Sequence, residues 1–118
     1  MSRLLYIFTQ APFSTSAGQE GLDAVLVGAA FEQEISLLFL HDGVYQLKTD
    51  QQAQDGGLKQ FTKSYAALAD FGIEQIYAHD LSLSARGINE QELILITDNI
   101  DTEEVRELIA RQDKVFTF

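Results

Sequence analysis

The chain has 118 residues, 46% of them hydrophobic and 22% charged, with a formal net charge of −10 and no cysteine. That length suits one domain, residues 1–118, with a core of its own, and the acidic balance argues against direct binding of nucleic acid, whose phosphates are gripped by Lys and Arg. Without cysteine, disulfides, zinc–thiolate sites and thiol nucleophiles are excluded.

Met1-Ser2-Arg3 leads directly into an apolar strand, Leu4–Phe8, with no secretory leader ahead of it. The longest apolar run, Ala24–Phe31, is broken by Gly28 and is too short to span a bilayer. A cytoplasmic protein without membrane contact is expected. A polar loop, Ser14-Thr15-Ser16-Ala17-Gly18, follows the first strand. Ser16 is placed to cap a helix, with Gln19 as the reciprocal member of a capping box. Leu22, Val25, Leu26 and Ala29 form one face of that helix. Ala24, Val27 and Phe31 lie nearly opposite, a second apolar side that a helix covering a sheet does not need.

The second strand, Ile35–Leu40, is almost continuously apolar, as expected of a parallel strand buried on both faces. It opens into His41-Asp42-Gly43-Val44-Tyr45-Gln46-Leu47. Lys48–Gly57 reads as a loop, and Leu58, Phe61, Tyr65, Leu68 and Phe71 space a helix that Gly72 would stop. Glu74–Ala78 is a third strand. His79–Arg86 is a connection with one or two helical turns, ended by Gly87, and Leu93–Thr97 reads as the fourth strand. Asp101 and Glu104 have the spacing of a capping box for the last helix, with Val105, Leu108 and Ile109 as its buried stripe. Lys114–Phe118 closes the chain as a fifth strand. The alternation predicts a three-layer α/β/α fold with a five-stranded, mainly parallel sheet.

In such a sheet the loops at the carboxyl ends of the strands form the functional edge. His41-Asp42 and His79-Asp80 fall just beyond strand ends, and Asp98 follows the fourth strand in the same way. Converging polar groups could form an acid–base or metal site. Neighbours on a strand point to opposite faces, though, and strand ends favour His and Asp because chains turn there. The turn reading is preferred. Ser14–Gly18 sits where phosphate loops sit but is neither a Walker loop nor GxGxxG, so capping by Ser16 is the simpler account. For Val44, Tyr45 and Leu47 two readings stand: a helical turn tucked onto the core, or a protein contact.

Several blocks occur together: Phe8 with Ala11-Pro12, Gly18-x-x-Gly21-Leu22-Asp23-Ala24, Asp42-Gly43-Val44-Tyr45-Gln46-Leu47, Phe71-Gly72-Ile73-Glu74-Gln75 and Leu83-x-x-Arg86-Gly87, then an aromatic last strand. In order and spacing, over nearly the whole chain, they resemble the TusC/DsrF branch of the DsrE/DsrF/DsrH sulfur-relay family. The resemblance implies a DsrE-like fold. It also implies a heterohexamer of three homologous subunits, each present twice, with TusB-like and TusD-like partners. In that assembly a cysteine of the TusD-like subunit carries sulfur as a persulfide. The sulfur arrives from TusA and leaves through TusE toward 2-thiolation of a tRNA wobble uridine. The carrier's cysteine lies just after the third strand, where this chain has Ala78-His79-Asp80.

The expected function is thus a non-catalytic structural subunit without cofactor or metal. Ala24, Val27, Phe31 and Tyr45 are its interface candidates, and His79 and Asp80 are edge residues near the partner's site. Related subunits serve sulfur oxidation, which is one alternative. Another is a flavodoxin-like ligand-binding protein or enzyme using Ser14–Gly18, which a bound chromophore would reveal. An acidic signalling receiver fits less well, because Thr9-Gln10-Ala11-Pro12 lacks the acidic pair that binds magnesium there.

Overall fold

The computed structural model describes residues 2–10, 21, 23–25, 27, 34–47, 68, 72, 73, 75–93 and 97–118. Five strands, β1 (Arg3–Phe8), β2 (Glu34–Phe39), β3 (Gln75–His79), β4 (Asp98–Ile100) and β5 (Lys114–Thr117), form one sheet in the order β4-β3-β2-β1-β5. Every pairing is parallel. Two helices are described in full, α1 (Asp80–Ala85) and α2 (Thr102–Ala110), and a 3-10 helix covers His41–Leu47. Gly21, Asp23–Val25 and Val27 are also helical.

The strand order dictates the layers. The first three crossovers step in one direction across the sheet, and the fourth returns over three strands to the far side of β1. With right-handed crossovers, the return helix must lie on the opposite face from the other connections. The two cores match this. Leu4, Tyr6, Phe8, Leu37, Phe39 and Ala78 face Val25, Leu68 and Leu83. On the other face Leu5, Ile7 and Leu38 meet Val105 and Leu108 of α2. Period-2 alternation along β1 and β2 thus feeds both layers, and each fully buried Leu or Phe contributes roughly 1.5–3 kcal/mol. Burial also pushes the Tyr6 hydroxyl above the usual phenol range.

Local signals explain the helix ends. The side chain of Asp101 accepts from the backbone N–H of Glu104 at 2.8 Å, and Glu104 accepts in return from the Asp101 N–H at 3.2 Å. That is the capping box read in the sequence. Behind α1, Gly87 adopts φ 64°, and the Ile88 N–H reaches back to the Leu83 carbonyl at 3.0 Å. This six-to-one closure needs a left-handed residue, which glycine supplies without strain.

Two expectations need correction. The fourth strand described is Asp98–Ile100, so Asp98 opens it rather than following it, and residues 94–96 of the expected strand Leu93–Thr97 lie outside the described residues. Its register pairs Tyr77 with Asp98 and His79 with Ile100. Ile109 is 36% exposed, so the buried stripe of α2 is Val105 and Leu108 alone. The all-parallel pairing agrees with the expected five-stranded, mainly parallel sheet. No helix among the described residues is long and apolar enough to cross a membrane.

Candidate functional site

At the carboxyl edge, β2 leaves the sheet at Leu40, whose N–H still donates to the Phe8 carbonyl at 3.0 Å. His41 then takes φ 53°, the only left-handed non-glycine residue among those described. Its backbone N–H donates to Ser82 Oγ at 2.9 Å. The 3-10 helix that follows lies so close to the end of β1 that a Cβ on Gly43 would overlap the Phe8 carbonyl. This approach buries Val44 and Leu47 completely and leaves Tyr45 half-buried against the core. Val44 and Leu47 thus follow the first reading of this loop, a helical turn tucked onto the core. Gln46 is buried as well, and its amide donates to the Gln10 carbonyl at 2.9 Å.

Ser82, buried in α1, ties the edge together. Its hydroxyl meets His79 Nδ1 at 2.8 Å, and His79 Nε2 lies 2.9 Å from Thr102 Oγ1 at the start of α2. Both ring nitrogens of His79 are therefore engaged within the chain. With the hydroxyl accepting from His41, its own hydrogen can go to Nδ1. The Nε2 proton then donates to Thr102, so a neutral imidazole satisfies every group. Arg86 donates from Nε to Asp42 at 3.0 Å and from Nη1 to the Ser82 carbonyl at 3.2 Å. The ends of β2, β3 and β4 are thus braced into one surface by His79, Ser82 and Arg86.

The two His-Asp pairs do not act as pairs. Asp42 belongs to Arg86, His79 to two hydroxyls, and Asp80 is exposed at the first turn of α1. Asp98 sits level with Tyr77, two residues short of His79, and is not part of the edge. Thr102 takes that place, and only the cap at Asp101 hinted at it. Among the described residues, no group of three His, Asp or Glu side chains is arranged to hold a metal.

Of the interface candidates, Val27 is 59% exposed, whereas Val25 on the same helix is fully buried. Ala24 is half-buried against the core, and Phe31 lies outside the described residues. The Ser14–Gly18 loop is outside them too. The topological switch point lies between β1 and β5, unlike the β1/β3 switch point of flavodoxin-type sheets. Here that crevice is narrowed by packing. Thr9 donates from both N–H and Oγ1 to the Phe118 carbonyl, at 2.8 and 2.9 Å. A Cβ on Gly21 would run into the rings of Phe8 and Phe118.

Comparison with known proteins assigns this geometry to a family. The model for the DsrE/DsrF-like family matches residues 2–118. The chain is 37% identical to the intracellular sulfur oxidation protein DsrF of Allochromatium vinosum, covering 100% of this chain and 97% of that protein. It is 32% identical to the TusC homolog of Aliivibrio fischeri, covering 100% of both. Among solved structures, the ychN protein from E.coli superposes with a TM-score of 0.82 at 19% identity, covering 100% of both chains.

Proposed function

The chain belongs to the DsrE/DsrF-like family, and from this we propose that it is a cysteine-free structural subunit of a sulfur-relay hetero-oligomer. It would hold a homologous, thiol-bearing subunit in the assembly and shape the surface beside that subunit's sulfur. The observation that carries this reading is the carboxyl end of β3. The chain has His79 and Asp80 there, with both nitrogens of the imidazole engaged internally and no thiol anywhere in the sequence. A persulfide requires a thiol, so sulfur must travel on a partner.

On this reading the partners are TusB-like and TusD-like subunits in a cytoplasmic heterohexamer, with TusA and TusE as transient carriers. The product pathway is 2-thiolation of a tRNA wobble uridine. Contact with the other subunits runs through the exposed side of the first helix at Val27, with the half-buried Ala24 and Tyr45 as further candidates. A second destination, sulfur oxidation, has equal support, since the 37% identity to a DsrF is matched by 36% to the TusC homolog of Pseudomonas aeruginosa.

Co-expression with the two homologous subunits tests the reading. The chain should co-purify stoichiometrically, and intact-mass spectrometry after loading with a cysteine desulfurase should find added sulfur only on the partner. Loss of 2-thiouridine on deleting the gene would assign the tRNA pathway, and unchanged 2-thiouridine would assign the oxidative one. A chain that never joins such subunits would end the proposal.

A further inference from the structure

His41 occupies a backbone position that glycine would hold without strain. At φ 53° a β-carbon is crowded by the carbonyl that follows, and His is one of the few side chains found there at all. The surroundings over-determine this geometry. Leu40 before it is bonded to Phe8, its own N–H is held by the buried Ser82, and Gly43 after it leaves no room for a side chain. Strain held so firmly at a strand's carboxyl end is the kind that accompanies function.

The imidazole itself is exposed and makes no hydrogen bond or ion pair with another described residue. Its neighbours are committed. Arg86 is tied to Asp42, and His79 to Ser82 and Thr102. An anion approaching this edge would meet a chain of net charge −10. His41 is the donor that the edge holds outward on a rigid backbone.

We propose that His41 is the side chain this edge presents to the sulfur-bearing loop of the thiol subunit, its imidazole N–H donating to the thiolate or persulfide anion. This rests on the subunit reading above. His41 is a positioning residue. It forms no covalent bond to sulfur, and it favours the charged form of a thiol that would otherwise face an acidic surface.

The test uses the assembled complex and follows alkylation of the partner's cysteine by iodoacetamide across pH. His41→Gly keeps the backbone conformation without strain, and His41→Asn is a second variant that tolerates it. With the complex intact, both should slow alkylation at neutral pH about tenfold and move the profile to higher pH, one unit in thiol pKa being a factor of ten. An unchanged profile in an intact complex overturns the role of His41 and leaves the subunit reading standing. Loss of co-purification by a folded His41→Gly chain also overturns it, making His41 a docking residue. If the wild-type chain fails to join the thiol subunit, both readings fall together.

Discussion

Tyr6 of β1 and Phe116 of β5 stack with ring centroids 5.2 Å apart and planes 23° from parallel. Phe118 extends the row, 6.3 Å from Tyr6 and 5.8 Å from Phe8, and Phe8 continues it to Phe39 at 5.1 Å. An aromatic ladder thus fastens the last strand to the first. The two phenylalanines share a face but differ in burial. Phe116 is 40% exposed, while Phe118 is half-buried against the core. Phe118→Ala should cost roughly 2–3 kcal/mol and Phe116→Ala about 1 kcal/mol, measured by urea denaturation. The reverse order would mean that β5 is held by its edge position rather than by the Phe118 contact.

Tyr6 also sets an alkaline limit on stability. Its folded-state pKa is raised by burial above the ordinary value of ~10. Between the two values the unfolded chain has lost a proton that the folded chain keeps, so stability is complete below about pH 9 and falls as pH rises further. One such group gives a slope of at most about 1.4 kcal/mol per pH unit. Tyr6→Phe should flatten the pH dependence of unfolding above pH 10. Equal slopes for wild type and Tyr6→Phe would refute this.

Gly43 is required by contact and Gly87 by conformation. A methyl at Gly43 would meet a backbone carbonyl, which cannot step aside as a flexible side chain could. Gly43→Ala should therefore cost roughly 2–4 kcal/mol, in the range of overpacked cores. Gly87→Ala meets nothing within 4 Å and loses only the left-handed preference at φ 64°, about 1–2 kcal/mol. Guanidinium melts of both variants check the ranking.

Val27→Asp separates folding from assembly. With Val27 59% exposed, the chain alone should keep its stability to within about 0.5 kcal/mol. In an interface core, however, an unpaired carboxylate is costly. The variant should fold normally and fail to co-purify with the homologous subunits. Normal assembly would remove this helix face from the interface.

Strands with a strong apolar pattern were legible in the sequence. β1, β2 and β3 stand within a residue or two of where composition puts them, and the capping box at Asp101 and Glu104 marked α2. β4 was not legible, because Asp98-Asn99-Ile100 has little strand propensity of its own. Its place comes from pairing with Tyr77–His79, which is tertiary information. The site divided in the same way. The edge was visible as loops after strands, and His79 as its landmark. The Ser82 hub and the left-handed His41 were not, since both depend on loops from different crossovers meeting in space. Phe31 and the Ser14–Gly18 loop lie outside the described residues, so the second stripe of the first helix is represented here by Val27 and Ala24.

The strand order has a temporal consequence. β1 is enclosed by β2 on one side and on the other by β5, with Thr9 and Phe118 bonded across a separation of 109 residues. During synthesis β2 can reach β1 early, but the other edge of β1 stays open until the final strand leaves the ribosome. Closing so distant a pairing is slow, and an apolar strand with one bare edge is exposed to mispairing meanwhile. The strand that reads most clearly in the sequence is therefore among the last to be enclosed, and the aromatic row on β5 closes the sheet once everything else is in place.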